Sequence, residues 1–395
     1  MGADRRLTVV FPGATSPPRD GASAFVRAVM ELLVREGHDV HLVVPSFLEP
    51  VEPLERVYAA QTSRWLPISS PSPGLPARVG RAAAAVRRSC PAWVGAYARP
   101  DVVVEAGRSA KQGGVVIGFG AAASTILAQL DAPSLLLLFS LPLDDLVRSG
   151  GSSFDRRLTR RFQETLTRRH DVVAATTPSE QGRLSTEGAE AIWLPYPQQR
   201  NRADAPASAG PRRLLFIADW NYPPNRLGLK FLLGVLPEIW RHHPETELVL
   251  AGKGSDELEG SDTRVRRFGQ YGELADVADA ATIAVLPLLA AGGVRTRLLE
   301  LGAAGIPVVA TLEATGGVDP GPGVAAVTPD RFAARLLEVL GSAETEDELR
   351  HGALEGGGAW PAEAEVAARW SSALELAVSR DASGTRSSRP ARSAR

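Results

Sequence analysis

The sequence is poor in several things, and each shortage closes off a class of function. It has a single cysteine, Cys90, so neither an internal disulfide framework nor a thiolate zinc site can be built, and this usage fits a reducing cytoplasm. Lysine is almost missing: of 44 basic residues only Lys111, Lys230 and Lys253 are lysines. Aromatic residues make up 6%. No apolar run approaches the roughly 18 residues that span a bilayer. The longest candidate, Leu135 to Phe139, reads as a buried strand. Met1-Gly2-Ala3-Asp4-Arg5-Arg6 leads directly into an apolar strand, so no signal-peptide core is expected. Excess charge is missing as well. The net charge of −1 gives no bulk attraction to nucleic acid or to a membrane surface.

What is present is an ordinary globular balance, 44% hydrophobic and 23% charged over 395 residues, enough for two domains with sizeable cores. Short apolar strands alternate with helical patterns. Leu7 to Phe11 predicts a strand, the Pro12-to-Gly21 stretch a loop, and the Phe25, Val29, Leu32 spacing a helix from Ala22. Asp39 to Pro45 follows as a second strand. Pro67, Pro71, Pro73 and Pro76 mark a loop, and Arg81 to Arg88 reads as helical. Further strands are expected at Asp101 to Glu105, Val115 to Phe119, Ser134 to Phe139, Asp171 to Thr176 and Ala191 to Leu194, with helices at Ala121 to Leu130 and Phe154 to Arg169. A proline- and alanine-rich stretch then interrupts the pattern. After it the same alternation resumes: strands at Arg213 to Ala218, Glu247 to Ala251, Arg264 to Phe268, Ile283 to Leu288 and Val308 to Thr311, and helices at Leu227 to Arg241, Arg331 to Leu340 and Ala362 to Val378. Continuous apolar strands interleaved with helices predict an α/β fold with doubly wound parallel sheets. The domains read as 1–200, a linker at 201–211, a second domain at 212–360, a C-terminal helix at 361–379 with room to cross back to the first domain, and a disordered basic tail at 380–395.

One stretch carries chemistry on its face. Gly292 and Gly293 precede a helix that begins with Val294, Arg295, Thr296 and Arg297. Glycines let a backbone approach an anion, and a helix start offers unpaired N–H groups and a partial positive charge. Helix starts favour acidic side chains, so two arginines in the first turn conflict with local preference and point to an anionic ligand. Glu300 lies one turn past Arg297 on a similar face, where its carboxylate could accept hydrogen bonds from sugar hydroxyls. Gly305 and Pro307 end the helix. By contrast, His242-His243 closes a helix before Pro244 with no partner cluster, so no metal site is expected there or elsewhere.

The order of these segments resembles GT-B fold glycosyltransferases, specifically the large retaining family 4 (glycosyl transferases group 1). The resemblance lies in Phe216-Ile217-Ala218-Asp219-Trp220-Asn221-Tyr222-Pro223-Pro224-Asn225, in Leu248-Val249-Leu250-Ala251-Gly252, in Phe268-Gly269 with Ile283 to Pro287, and in Gly292 to Glu300. Pro17-Pro18-Arg19-Asp20-Gly21 and Gly37-His38-Asp39-Val40 are similar to the family's opening loop and second strand. Many members carry two glutamates with seven residues between them. The second matches Glu300; the first would fall at Gly292 and is absent, as in a branch with Gly-Gly-x-Arg. The arginine–lysine pair that grips the diphosphate in many members is not plainly present, and Asn225 lies near its lysine position.

The resemblance implies two Rossmann-like domains facing across a cleft. It also implies a nucleotide diphosphate sugar donor (UDP-, dTDP- or GDP-sugar) on the C-terminal domain and a small-molecule or glycan acceptor on the N-terminal one. It implies Glu300 on the ribose, and Gly293, Val294, Arg295, Thr296 and Arg297 around the phosphates, with Arg295 assisting departure of the diphosphate. Gly21 would bring backbone near the donor phosphates. Asp20 would touch acceptor or donor, or else cap a helix. Gly252 and Lys253 sit at a strand exit near the nucleotide, and Tyr271 near the base. The family's cleft histidine has no counterpart after Gly118-Phe119-Gly120 or Phe139-Ser140; Asp144 is the nearest polar candidate for a catalytic group. No metal, cofactor or nucleic-acid partner and no transmembrane segment is expected, and a homodimer is compatible. The setting implied is a bacterial natural-product or polysaccharide pathway. Two other readings stay open: a non-catalytic partner subunit of another transferase, and a nucleotide-sugar epimerase.

Overall fold

The computed structural model describes residues 6–11, 21–45, 64–68, 91, 94, 100–148, 151–186, 190–197, 212–290, 292–293, 295–355 and 360–383. The expected helix at Arg81 to Arg88, the 201–211 linker, Asp20 and Val294 lie outside the described residues. The chain divides into two compact units, one of Met1–Pro18, Ala22–Pro197 and Glu363–Arg395, the other of Arg19–Gly21 and Gln198–Ala362.

The first unit is a seven-stranded sheet in the order β3-β2-β1-β4-β5-β6-β7. Its strands are β1 (Arg6–Val10), β2 (Asp39–Pro45), β3 (Arg64–Ile68), β4 (Val115–Phe119), β5 (Ser134–Leu138), β6 (Val172–Ala175) and β7 (Ala191–Trp193). Every pairing is parallel, with Val9 of β1 opposite Leu42 on one side and Ile117 on the other. Strands β4, β5 and β6 are buried along their whole length, which is why they read as unbroken apolar runs rather than alternating ones. Around them run α1 (Gly21–Arg35), α2 (Pro100–Ala110), α3 (Ser124–Leu127), α4 (Pro142–Arg148), α5 (Ser153–Arg169) and α6 (Pro178–Thr186). Helix α1 buries Phe25, Val29 and Leu32, the spacing expected of it.

Three expectations fail in this unit. The Asp101-to-Glu105 segment is not a strand; it opens α2. Its valines favour a strand locally, but Pro100 suits a helix start, and the buried residues Val102, Ala106, Ser109 and Ala110 follow helical spacing. Val104, central in the expected strand, is 59% exposed. Pro67, expected in a loop, lies in β3, which sits at the sheet edge, the place in a sheet where proline is tolerated. The tail does not begin at residue 380, because the last helix runs from Glu363 to Ala382. There the Arg380 guanidinium donates to the Asp171 carbonyl (3.1 Å) and pairs with Glu190. This helix buries Val366, Trp370, Ala373, Leu374 and Ala377 and packs on β4, β5 and β6.

The second unit is a six-stranded parallel sheet in the order β10-β9-β8-β11-β12-β13. It comprises β8 (Arg213–Ile217), α7 (Pro223–His242), β9 (Glu247–Ala251), β10 (Val265–Gly269), β11 (Thr282–Leu286), α8 (Thr296–Ala303), β12 (Val308–Thr311), β13 (Val324–Val327), α9 (Phe332–Gly341) and α10 (Ala343–Glu355). Strand β13 and helix α10 were not expected; β13 is an alanine-containing four-residue edge strand with little β signal of its own. Labelled in the same order, Glu363–Ala382 is α11. In both sheets the order reverses beside the first strand, between β1 and β4 and between β8 and β11. Such a switch point opens a crevice at the carboxyl ends of the strands.

The α2 assignment is testable by a pair of substitutions. Val102→Ala is expected to cost about 1–3 kcal/mol of stability, because it empties a buried site. Val104→Ala is expected to be neutral or slightly stabilising, because alanine is the better helix former at an exposed position. Equal losses in chemical denaturation would return the segment to a strand.

Candidate active site

In the second unit the strand exits are bolted together by backbone bonds. After β8 the chain turns through Ala218 to Tyr222, and fully buried Trp220 anchors the turn. Its indole Nε1–H donates to the Ala251 carbonyl (3.0 Å), its backbone N–H to the Lys253 carbonyl (3.0 Å), and its ring meets Phe216 edge-on at 5.0 Å. Gly252 has φ 106, and a Cβ there would lie 2.2 Å from the Ala218 carbonyl oxygen, so the exits of β8 and β9 touch only because this residue is glycine. Its N–H donates to Gly269 (2.8 Å), and Gly269 donates to the Ser255 hydroxyl (2.8 Å), which ties in the exit of β10. Asn225, near the start of α7, donates its side-chain amide to the Asp219 carbonyl (2.8 Å), so part of its hydrogen-bonding capacity braces this same turn. The Lys253 ammonium takes no partner among the described residues.

On the other side of the switch point, β11 is wholly buried. Its exit is held by Thr311 at the end of β12, whose hydroxyl donates to the carbonyls of Leu288 (2.5 Å) and Leu286 (3.3 Å). The chain then passes Gly293, buried with φ 69, to α8. Arg295 is the N-cap residue rather than part of the first turn, and its carbonyl accepts from Leu298 N–H (2.9 Å). No side chain caps α8 and no acidic residue stands in its first turn. The positive end of the helix is therefore not neutralised by its own sequence. Thr296 is buried behind it. At its far end, Ile306 N–H bonds to Leu301 and Gly305 N–H to Gly302 (both 3.0 Å), the Schellman pattern that stops α8 and turns the chain into β12.

Arg297 does not extend away from the helix. Its Nη1 donates to Oε2 of Glu300 at 2.5 Å, and its guanidinium carbon lies 5.8 Å from the centre of the Tyr271 ring. Tyr271, Arg297 and Glu300 thus form one cluster at the exits of β10 and β11. The Tyr271 hydroxyl is buried and takes no hydrogen bond among the described residues. Burial pushes this phenol above its ordinary range; Arg297 works against that shift and Glu300 adds to it. The sequence reading placed all three residues near the donor and Glu300 on a similar face to Arg297, but not Tyr271 against them. The link between Tyr271 and Arg297 joins positions 26 apart, with no local signal.

Gly21, the sequence candidate for a close backbone approach, is the first residue of α1. In the first unit the other candidate is already engaged. Asp144, on α4, has both carboxylate oxygens engaged by Arg183, one at 2.7 Å. That ion pair gives Asp144 a structural use that sequence inspection had missed. The exits of β1, β4 and β5 are filled by rings. Phe119 stacks on Phe139 at 6.0 Å, Phe11 meets both edge-on, and Phe25 bridges Phe139 and Tyr196. Trp370 of α11 closes the cluster against Phe119 at 6.3 Å. A chain with few aromatics has concentrated several of them here. Another buried network, Ser109–His41–Asp39, has the connectivity of a nucleophile triad, with links of 3.2 and 3.1 Å. Ser109 is 3% exposed and shares its hydroxyl with Thr8 (2.8 Å), so no substrate can reach it; the network fastens α2 to β1 and β2.

Among the described residues no group of three or more His, Cys, Asp or Glu side chains comes together to hold a metal, and no helix is long and apolar enough to cross a membrane. A cavity of about 470 Å³ lies beside Leu312, Val327, Thr328, Arg331 and Arg335, and shares no residue with the exits just described.

Comparisons with known proteins bear on the family and the fold. Residues 211–342 match the family described as glycosyl transferases group 1, and residues 20–197 match the glycosyl transferase 4-like domain. No curated protein sequence matches the chain. Among solved structures it is similar to sucrose-phosphate synthase from Thermosynechococcus elongatus (TM-score 0.70, 14% identity, 95% of this chain and 99% of that one). It is also similar to Anabaena Alr3699/HepE in complex with UDP and glucose (0.67, 14%, 93% and 99%). A third is a UDP-forming trehalose-phosphate synthase from Burkholderia xenovorans (0.64, 12%, 95% and 99%).

The state of Tyr271 predicts a pH dependence. Its folded pKa is raised above the unfolded value of about 10, so its contribution to stability is whole below that pH and is lost as pH rises through the folded value. Tyr271→Phe should therefore melt less steeply than the wild type with increasing pH above about 10, and be no less stable at pH 7. Parallel alkaline melting curves for the two proteins would contradict the burial of this hydroxyl.

Proposed function

This chain belongs to the GT-B glycosyltransferases, and from that premise we propose that it moves a sugar from a nucleoside diphosphate sugar to a small-molecule or glycan acceptor with retention of anomeric configuration. The observation that carries the donor site is the start of α8. It is an uncapped helix N-terminus without acid, entered through Gly293 at φ 69, with Arg295 beside it and Glu300 one turn on, at the switch point of the second sheet.

The chemistry needs what this place supplies. As the bond from the anomeric carbon to the diphosphate breaks, negative charge grows on the leaving oxygens. Helix-end N–H groups and a guanidinium stabilise that charge without a metal. In this reading Gly293, Val294, Arg295 and Thr296 surround the diphosphate, and Glu300 receives the ribose hydroxyls. Gly252, Lys253, Asn225 and Tyr271 border the nucleoside side. The acceptor hydroxyl adds on the face the diphosphate leaves, with no protein nucleophile: the bond from the anomeric carbon to the diphosphate oxygen breaks as the new glycosidic bond forms, and the hydroxyl proton passes to the departing diphosphate. With its carboxylate bound by Arg183, Asp144 is given no proton-transfer role. UDP-sugars are the first donors to test, because similar structures are described as UDP complexes or as UDP-forming; dTDP- and GDP-sugars come next. Gly-Gly-x-Arg in place of a first glutamate supports reading the chain as a member of that branch of family 4. A soluble cytoplasmic enzyme of a bacterial natural-product or polysaccharide pathway, with or without dimerisation, accords with this reading.

A second reading is a non-catalytic GT-B partner subunit. It draws on the glycine at position 292, the occupied carboxylate of Asp144 and the ring-filled strand exits of the first unit.

Thermal shifts with UDP, dTDP, GDP and ADP test the donor site, since a ligand of the folded state raises its stability. One of them is expected to stabilise the wild type, and Glu300→Ala to remove that shift. Arg295→Ala is expected to weaken the diphosphate more than the nucleoside, by about tenfold or more for a lost charge-assisted bond. No shift with any nucleotide would refute the donor site. Binding with neither donor hydrolysis nor transfer would favour the partner-subunit reading.

A further inference from the structure

Resting on the donor reading above, we infer that Arg297 is a positioning residue: braced against the Tyr271 ring, it orients the Glu300 carboxylate for the ribose hydroxyls and does not grip the diphosphate. The first reason is geometric. The Arg297 Nη1–H bond occupies Oε2 of Glu300 at 2.5 Å, and Oε1 takes no partner among the described residues. One carboxylate oxygen is pinned and the other is left for a ligand hydroxyl.

The second reason is that helix stability does not explain the pair. Acidic residues suit the first turn of a helix and basic ones the last, and α8 has this pair in the opposite order, with Arg297 nearer the positive end. A pair placed against the helix dipole is better accounted for by what Glu300 has to do. The third reason is the brace itself. Tyr271 projects from a segment fixed on both sides: Gly269 N–H is held by Ser255, and the amides of Gly272 and Glu273 donate to one Asp276 oxygen at 3.0 and 2.9 Å. The ring is therefore a firm surface for the guanidinium.

The fourth reason is charge. A bare carboxylate one turn from a diphosphate would repel it. Paired with Arg297, Glu300 keeps its hydrogen-bonding oxygens while its net field is cancelled. The sequence expectation of Arg297 as a phosphate ligand is replaced by this assignment.

Titration calorimetry of the full chain with UDP, uridine and 2′,3′-dideoxy-UDP separates the alternatives, with GDP and its counterparts run in parallel. The wild type is expected to prefer UDP over the dideoxy form. Arg297→Gln and Glu300→Gln should each erase that preference, lowering UDP affinity about tenfold or more with little change for dideoxy-UDP. The preference for UDP over uridine should survive in both, and Arg297→Lys should restore part of the diol preference. An Arg297→Gln protein that keeps the diol preference but loses the diphosphate preference overturns the inference and makes Arg297 a phosphate ligand. Tyr271→Leu leaves α8 untouched and tests the same claim if Arg297→Gln does not fold: a reduced diol preference supports it and an unchanged one overturns it. A wild type that binds none of these nucleotides refutes the donor reading itself, an outcome distinct from the others.

Discussion

A parallel sheet covered by helices on both faces has no room for polar chemistry along its strands. Strands β4, β5, β6 and β11 are buried from end to end, and they serve mainly apolar packing and ladder hydrogen bonds. Every group able to meet a ligand is therefore displaced to the strand exits, and the reversal of strand order decides which exits stand open. The organisation of the second unit follows from this constraint.

At those exits the backbone is committed before any side chain acts. Trp220, Gly252, Gly269 and Ser255 link three consecutive strand ends, and Thr311 holds a fourth. At the start of α8 the local rules are left unsatisfied: basic residues stand where acidic ones would stabilise, and no side chain caps the helix. Proteins that break a local rule generally do so at functional sites. The first unit shows the contrast, since its exits are packed with phenylalanine rings and the carboxylate of Asp144 is tied to Arg183.

The fold was largely legible because buried parallel strands advertise themselves as unbroken apolar runs. The misreadings share a cause. Val102, Val103 and Val104 look like a strand in a short window, and only the longer spacing to Ala106 and Ser109 reveals a helix face. Arg380 reads as the start of a polar tail, yet it is held by the Asp171 carbonyl and by Glu190, partners far away in the chain. Strand β13 has little sequence signal because an edge strand can be stabilised by a single neighbour, here β12.

Sequence alone determined the class of fold and marked the glycine-bearing start of α8 and Glu300 as candidates, since glycines, helix starts and apolar periodicity are local properties. Tertiary structure decided what the side chains do with one another. Arg297 looks like a phosphate ligand along the chain, but in space it lies between Tyr271 and Glu300. Asp144 looks like a free acid, but Arg183 folds back onto it from another helix. A charged side chain takes its role from the partner nearest in space, and the folding of β10 against β9, which sets Tyr271 in its place, is not written in the residues around Arg297.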